Sequence, residues 1–121
     1  MRRQDLTGPR GMRWTAEVPR TRRERARGLL GREGLDAGEA LLLERAGSVH
    51  TFGMRFPVTV AFLDADLAVR RVIRMPPGRL ALPRPRVRHV LECAEGTDLR
   101  EGDRLKRESR REEGLAAEGL D

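Results

Sequence analysis

Two histidines, one cysteine and scattered carboxylates are the side chains of this chain whose types suit proton transfer, nucleophilic attack or metal binding, and His50 is the first of them. It stands in Ser48-Val49-His50-Thr51-Phe52-Gly53-Met54-Arg55-Phe56-Pro57, where the apolar residues follow neither a two-residue nor a helical period, so the segment reads as a loop. Loops carried on rigid scaffolds often hold sites. As a general acid or base His50 needs a carboxylate within hydrogen-bond reach, and Asp64 and Glu92 are the candidates. The competing reading is structural, with His50 capping a backbone group and ordering its own loop. For binding without turnover, the candidate ligand contacts are His50, Thr51, Met54, Arg55 and Glu92. Met54 and Phe52 also fit as apolar plugs. Glu92 either meets solvent, lines a groove as a ligand contact, or pairs with an arginine such as Arg55 or Arg71.

Other chemistries find less support. His89, Leu91 and Cys93 share one strand parity, and Leu91 marks that face as core, which leaves Cys93 buried and inert; Arg88, Val90 and Glu92 take the other face. There is no Cys-x-x-Cys or His-x-x-x-His pair for a zinc site, and a Cu(I) site at His50 and Met54 lacks a second clustered thioether. Neither phosphate-cradling glycine pattern is present. No metal and no cofactor are expected. Ser48 and Thr51 are not assigned as nucleophiles, because neighbours on an extended chain point apart.

The elements that must position these residues follow from pattern. Met12–Val18 reads as a strand ended by Pro19, and Thr21-Arg22-Arg23-Glu24 as a capping box opening a helix that runs to Gly31. Glu39–Arg45 suits a buried strand, and Val58–Leu63 one covered on both faces. Leu67–Met75 returns beyond the Asp64-Ala65-Asp66 turn with one wet face. Pro76, Pro77, Pro83 and Pro85 confine the next stretch to turns or edge segments. Val87–Cys93 is a further strand, 96–101 suits one helical turn, and Gly102-Asp103 turns the chain into a last short strand, with Asp103 structural. The expected organisation is an N-terminal extension at 1–11, one α+β domain at 12–106 with one or two short helices, and a charged, disordered tail at 107–121.

Composition narrows the function classes. No wholly apolar run exceeds four residues, which excludes a membrane-spanning helix, and without a secretory signal the expected compartment is the cytoplasm. The net charge of +6 is uneven, since residues 1–32 hold ten arginines against three acids. That favours phosphate backbones, yet only four aromatics exist to stack bases, so nucleic-acid association through Arg22, Arg23, Arg25 and Arg27 would be non-specific.

The order of Arg25-Ala26-Arg27-Gly28-Leu29-Leu30, Val49 to Pro57, Phe62-Leu63-Asp64, Val90-Leu91-Glu92 and Gly102-Asp103 resembles the domain-of-unknown-function 192 family of small bacterial and archaeal proteins, over residues 12–106. The resemblance implies a mostly antiparallel, curled sheet or partly closed small β-barrel, and no established activity. The chain departs from the family pattern at Thr59, where an acid is common, and at Leu67, where glycine usually ends the Asp-x-Asp turn. The leading reading is a non-catalytic module that binds a small ligand or a protein through the His50–Arg55 loop. A hydrolase- or lyase-like enzyme with His50 as acid or base is the alternative, and nucleic-acid association the third.

Overall fold

In the computed structural model, which describes residues 1–109, the elements run β1 (Arg2–Thr7), β2 (Arg13–Val18), α1 (Arg22–Arg27), β3 (Glu39–Glu44), β4 (Val49–His50), β5 (Val58–Leu63), β6 (Val69–Met75), β7 (Leu80–Ala81), β8 (His89–Ala94) and β9 (Lys106–Glu108). Seven strands form one mixed sheet in the order β6-β5-β8-β3-β2-β1-β9, and β4 pairs with β7 apart from it. Within the sheet only β2 and β3 are parallel, because the chain between them crosses over through α1.

The strands at the centre have two apolar faces. Along β5 every residue is buried, and its alternation sends Ala61 and Leu63 to one cluster and Val58, Val60 and Phe62 to another. The first cluster holds Leu6, Trp14, Leu42 and Leu91 and is enclosed by the curl of the sheet. The second holds Leu29, Leu41, Val49, Met54 and Phe56 and is covered by loops. The curl brings the sheet's edges together at one corner, where Ala68 bridges Arg104 and the amides of Val69 and Leu105 donate to the carbonyls of Asp103 and Leu67. The seven-stranded sheet is otherwise open, so the expected barrel goes no further than this corner.

Helix contributes little, and the protein is mostly β rather than evenly α+β. The capping box is present, with Thr21 Oγ1 accepting from the Glu24 amide at 3.0 Å and the Glu24 carboxylate accepting from the Thr21 amide. The helix nevertheless ends at Arg27 rather than Gly31, because Gly28 turns to φ +45°, and it buries none of its own side chains. Leu29, within the span expected as helix, is buried from the turn that follows. The stretch 96–101 passes through hydrogen-bonded turns without forming a helix. Besides α1 there is a 3₁₀ turn at Pro9–Gly11.

Two further expectations change. Residues 2–7, read above as part of an extension, form β1 between β2 and β9. Arg107 and Glu108, at the start of the stretch expected as a tail, continue from Lys106 as β9; residues 110–121 of that stretch lie outside the described residues. The turn after β5 manages without glycine: Leu67 takes φ +63°, and Asp64 Oδ1 accepts from the amides of Asp66 and Ala68. Thr59, at the other departure, accepts from the Gly96 amide at 3.0 Å and so ties β5 to the turn after β8.

Leu6 is 1% exposed. Replacing it with alanine is expected to cost ~2–5 kcal/mol in urea unfolding, the range of a core truncation. A loss within ~0.5 kcal/mol, typical of a surface site, would return β1 to the status of an extension.

Candidate functional site

The site is built on the second apolar face. Along β8, Leu91 and Cys93 enter the cluster inside the curl, which turns Val90 and Glu92 to the opposite side of the sheet. Glu92 stands there between Leu41 of β3 and Val60 of β5 in register. Of the alternatives open for Glu92, an outward position in solvent is thereby removed. Glu92 is 4% exposed and makes no hydrogen bond or ion pair with any described residue. Burial pushes its carboxyl up to about 7. Neither arginine considered as its partner reaches it: Arg55 pairs with Glu33 at 3.6 Å on the exposed surface, and Arg71 lies over the Phe62 ring.

Glu92 borders a cavity of about 190 Å³. The sheet supplies Leu41, Leu43 and Glu92, the segment from Arg25 to Leu30 forms one wall, and Ala46, Ser48, Val49, His50, Phe52 and Met54 form the other. The two walls meet where Leu30 packs on Gly53: a Cβ on Gly53, whose φ is +78°, would come within 3.1 Å of Leu30 Cδ2. Thr51 anchors the second wall. Fully buried, it donates from Oγ1 to the Pro76 carbonyl at 2.6 Å and accepts from the Arg79 amide at 2.9 Å, while its own amide donates to the Arg79 carbonyl at 2.8 Å. On the rim, the His50 and Phe52 rings stack with centroids 5.1 Å apart, and His50 Nδ1 accepts from the Phe52 amide. Arg25 is held by a 3.0 Å hydrogen bond from Nη1 to the Glu44 carbonyl.

The structure therefore gathers His50, Met54 and Glu92 around one cavity and places the other candidates elsewhere. Thr51 is a fastener behind the wall, and Arg55 faces outward. Asp64 holds the β5–β6 turn, 3.9 Å from Arg70, and does not border the cavity. Sequence reasoning named Arg25 and Arg27 only as part of a basic helix and did not connect them with Glu92. The available signal was a single acid inside the otherwise apolar run Val90-Leu91-Glu92-Cys93, which suits a strand covered on both faces.

Elsewhere the titratable groups have structural work. Cys93 Sγ contacts the Thr59 carbonyl at 3.5 Å, and burial pushes its thiol up to about 11. His89 Nδ1 accepts from the Arg45 amide, and burial holds its pKa below the usual imidazole range. Asp103 accepts from the Arg100 amide and pairs with Arg10, as its structural reading required. Among the described residues no group of three or more His, Cys, Asp or Glu is placed to hold a metal ion, and no helix is long and apolar enough to cross a membrane.

A family model described as DUF192, Uncharacterized ACR, matches residues 4–107. The chain belongs to the DUF192 family. The resemblance read from the five motifs is thereby shown, and it extends into β1, beyond the residues first matched. Two crystal structures are similar to this DUF192 domain in fold. One, from Sinorhizobium meliloti 1021, is described provisionally as a transcription regulator; it has a TM-score of 0.75 and 23% identity, over 87% of this chain and 92% of that one. The other, a protein of unknown function from Novosphingobium aromaticivorans DSM 12444, has a TM-score of 0.73 and 23% identity, over 86% and 83%. No curated protein matches.

Two outcomes are expected of the DUF192 site. Folded Glu92 keeps its proton up to about pH 7, whereas in the unfolded chain it loses it in the ordinary carboxylate range. The native state then binds more protons, so this group's contribution makes stability fall as pH rises from ~4.3 to ~7, by about 4 kcal/mol in all. Glu92→Gln is expected to match the wild type at about pH 4 and to exceed it by about that amount at about pH 8, read from paired urea melts. A difference that stays constant with pH would contradict the buried, unpaired carboxyl. Thr51→Val removes two hydrogen bonds from a buried site and is expected to cost ~1–3 kcal/mol by the same assay; a neutral result would show that the loop is held by other contacts.

Proposed function

We propose that this DUF192 domain is a non-catalytic module that binds a small molecule in the Glu92 cavity. The observation that carries the reading is a buried carboxyl that makes no hydrogen bond or ion pair with any described residue and borders a space lined largely by apolar side chains. Burying a polar group without a hydrogen bond costs free energy in either protonation state, and a ligand hydrogen bond would supply what the fold leaves out. Pockets of this kind, apolar with a few convergent polar groups, are the usual form of small-molecule sites.

The wall residues support binding more than turnover. His50 already accepts from its own loop through Nδ1, and Asp64 is committed to a turn. A carboxyl titrating at about 7 also suits general acid–base work, which makes Glu92 rather than His50 the residue on which an enzyme reading would rest. The basic helix offers the third reading, since Arg22, Arg23 and Arg27 are exposed; the transcription-regulator description belongs to the Sinorhizobium protein.

Amide NMR titration of the labelled domain with a panel of small neutral and anionic organic compounds tests this. Saturable shifts are expected at residues 28–30, 41–43, 48–54 and 92, and none at 64–68. Shifts confined to 22–27 that vanish as salt is raised would replace the proposal with phosphate-type attraction. Turnover that Glu92→Gln abolishes while binding persists would move the domain to the enzymes.

A further inference from the structure

The charges around the cavity are arranged by depth. Glu92 lies on the sheet side, and it is the only acid among the lining residues. Arg25 and Arg27 lie on the α1 side, both exposed. Arg25 is held by the Glu44 carbonyl, and neither Arg25 nor Arg27 makes an ion pair with any described residue. Leu41, Leu43 and Met54 line the space with apolar surface. A ligand meeting all three zones needs an anionic end, an apolar body and a polar far end.

Size and charge narrow the choice. A cavity of ~150 Å³ is enough for benzene, so about 190 Å³ admits a body of one ring with small substituents. A cationic end on the α1 side is opposed by the charges of Arg25 and Arg27. A hydroxyl has no such difficulty, and because it both donates and accepts, it satisfies Glu92 with or without its proton. A carboxylate on that side is favoured by the positive charge of Arg25 and Arg27.

Resting on the reading of the cavity as a binding site, we infer that its ligand class is a small hydroxylated organic acid, with its carboxylate on the α1 side in the field of Arg25 and Arg27, a ring-sized body between Leu41, Leu43 and Met54, and its hydroxyl on Glu92.

The probes are 4-hydroxybenzoate, benzoate and phenol, titrated into the full chain at low and high salt and followed by amide NMR. 4-Hydroxybenzoate is expected to bind about 10-fold more tightly than either of the others, the worth of one charge-assisted contact. Replacing Arg25 and Arg27 together by glutamine should bring its affinity to that of phenol and leave phenol unchanged. Glu92→Leu, which removes the polar atoms and keeps apolar volume, should bring 4-hydroxybenzoate to the affinity of benzoate and leave benzoate unchanged. If phenol binds as tightly as 4-hydroxybenzoate, with shifts still at 41–43, 48–54 and 92, the acid class is overturned and the cavity stands as a binding site. If benzoate equals 4-hydroxybenzoate there, the hydroxyl contact is overturned in the same way. If no probe shifts those residues, or the shifts are confined to 22–27 and disappear at high salt, the ligand class fails for these probes; failure of the wider small-molecule panel as well overturns the site.

Discussion

A sheet with two apolar faces has to be covered twice. In this chain the covering of one face is intrinsic: the strands twist and curl until residues 67–69 meet 102–105, and Leu6, Trp14, Leu42 and Leu91 close on one another inside. The other face depends on loops. Leu29 and Leu30 arrive from the turn after α1, Val49 to Phe56 from the irregular segment, and Ala81 from the proline-rich return. Loops tile a surface less evenly than a second sheet would, and the gap between two of them is the cavity beside Glu92.

The cover also explains how a six-residue helix that buries none of its side chains contributes to a site. A helix this short has almost no intrinsic stability, since its nucleation cost is spread over few hydrogen bonds. Here the cap supplies what length does not: Thr21 and Glu24 satisfy each other's backbone donors, and the amides of Arg20 and Thr21 on its carboxylate hold Glu24 below the usual carboxylate range. At the other end Gly28 leaves the helical conformation, which drops Leu29 into the core and sets Leu30 against Gly53. The position of Arg25 and Arg27 at the cavity follows from this pair of termini.

Much of this architecture was legible in residue pattern, and the exceptions have physical reasons. Val58–Leu63 announced a strand covered on both sides, and Thr21 with Glu24 announced the cap, because burial and capping act on adjacent residues. β1 was illegible: Leu6 is its one apolar residue, and Arg2 to Thr7 become a strand by pairing with β2 and β9 rather than by propensity. Of the site, His50, Met54 and Glu92 were found from type and loop context, whereas the exclusion of Asp64, Thr51 and Arg55 depended on which turn or loop each one fastens. Along β8 the alternation placed Leu91 and Cys93 together in the core, and it left Glu92 open between solvent, a groove and an ion pair because the cover on that second face comes from loops rather than from the strand's own pattern.

Glu92 is where the two demands on the fold conflict. On stability alone an apolar residue would serve better between Leu41 and Val60, because a carboxyl there loses its hydration without gaining a protein hydrogen bond. The rest of the chain shows the ordinary solution repeatedly: Thr51, Thr59, Asp64 and Asp103 are each placed against amides or guanidinium groups that satisfy them. Among the described residues, Glu92 is the buried acid that makes no hydrogen bond or ion pair and borders open volume instead. A destabilising group beside a gap is the arrangement expected where a partner arrives from outside.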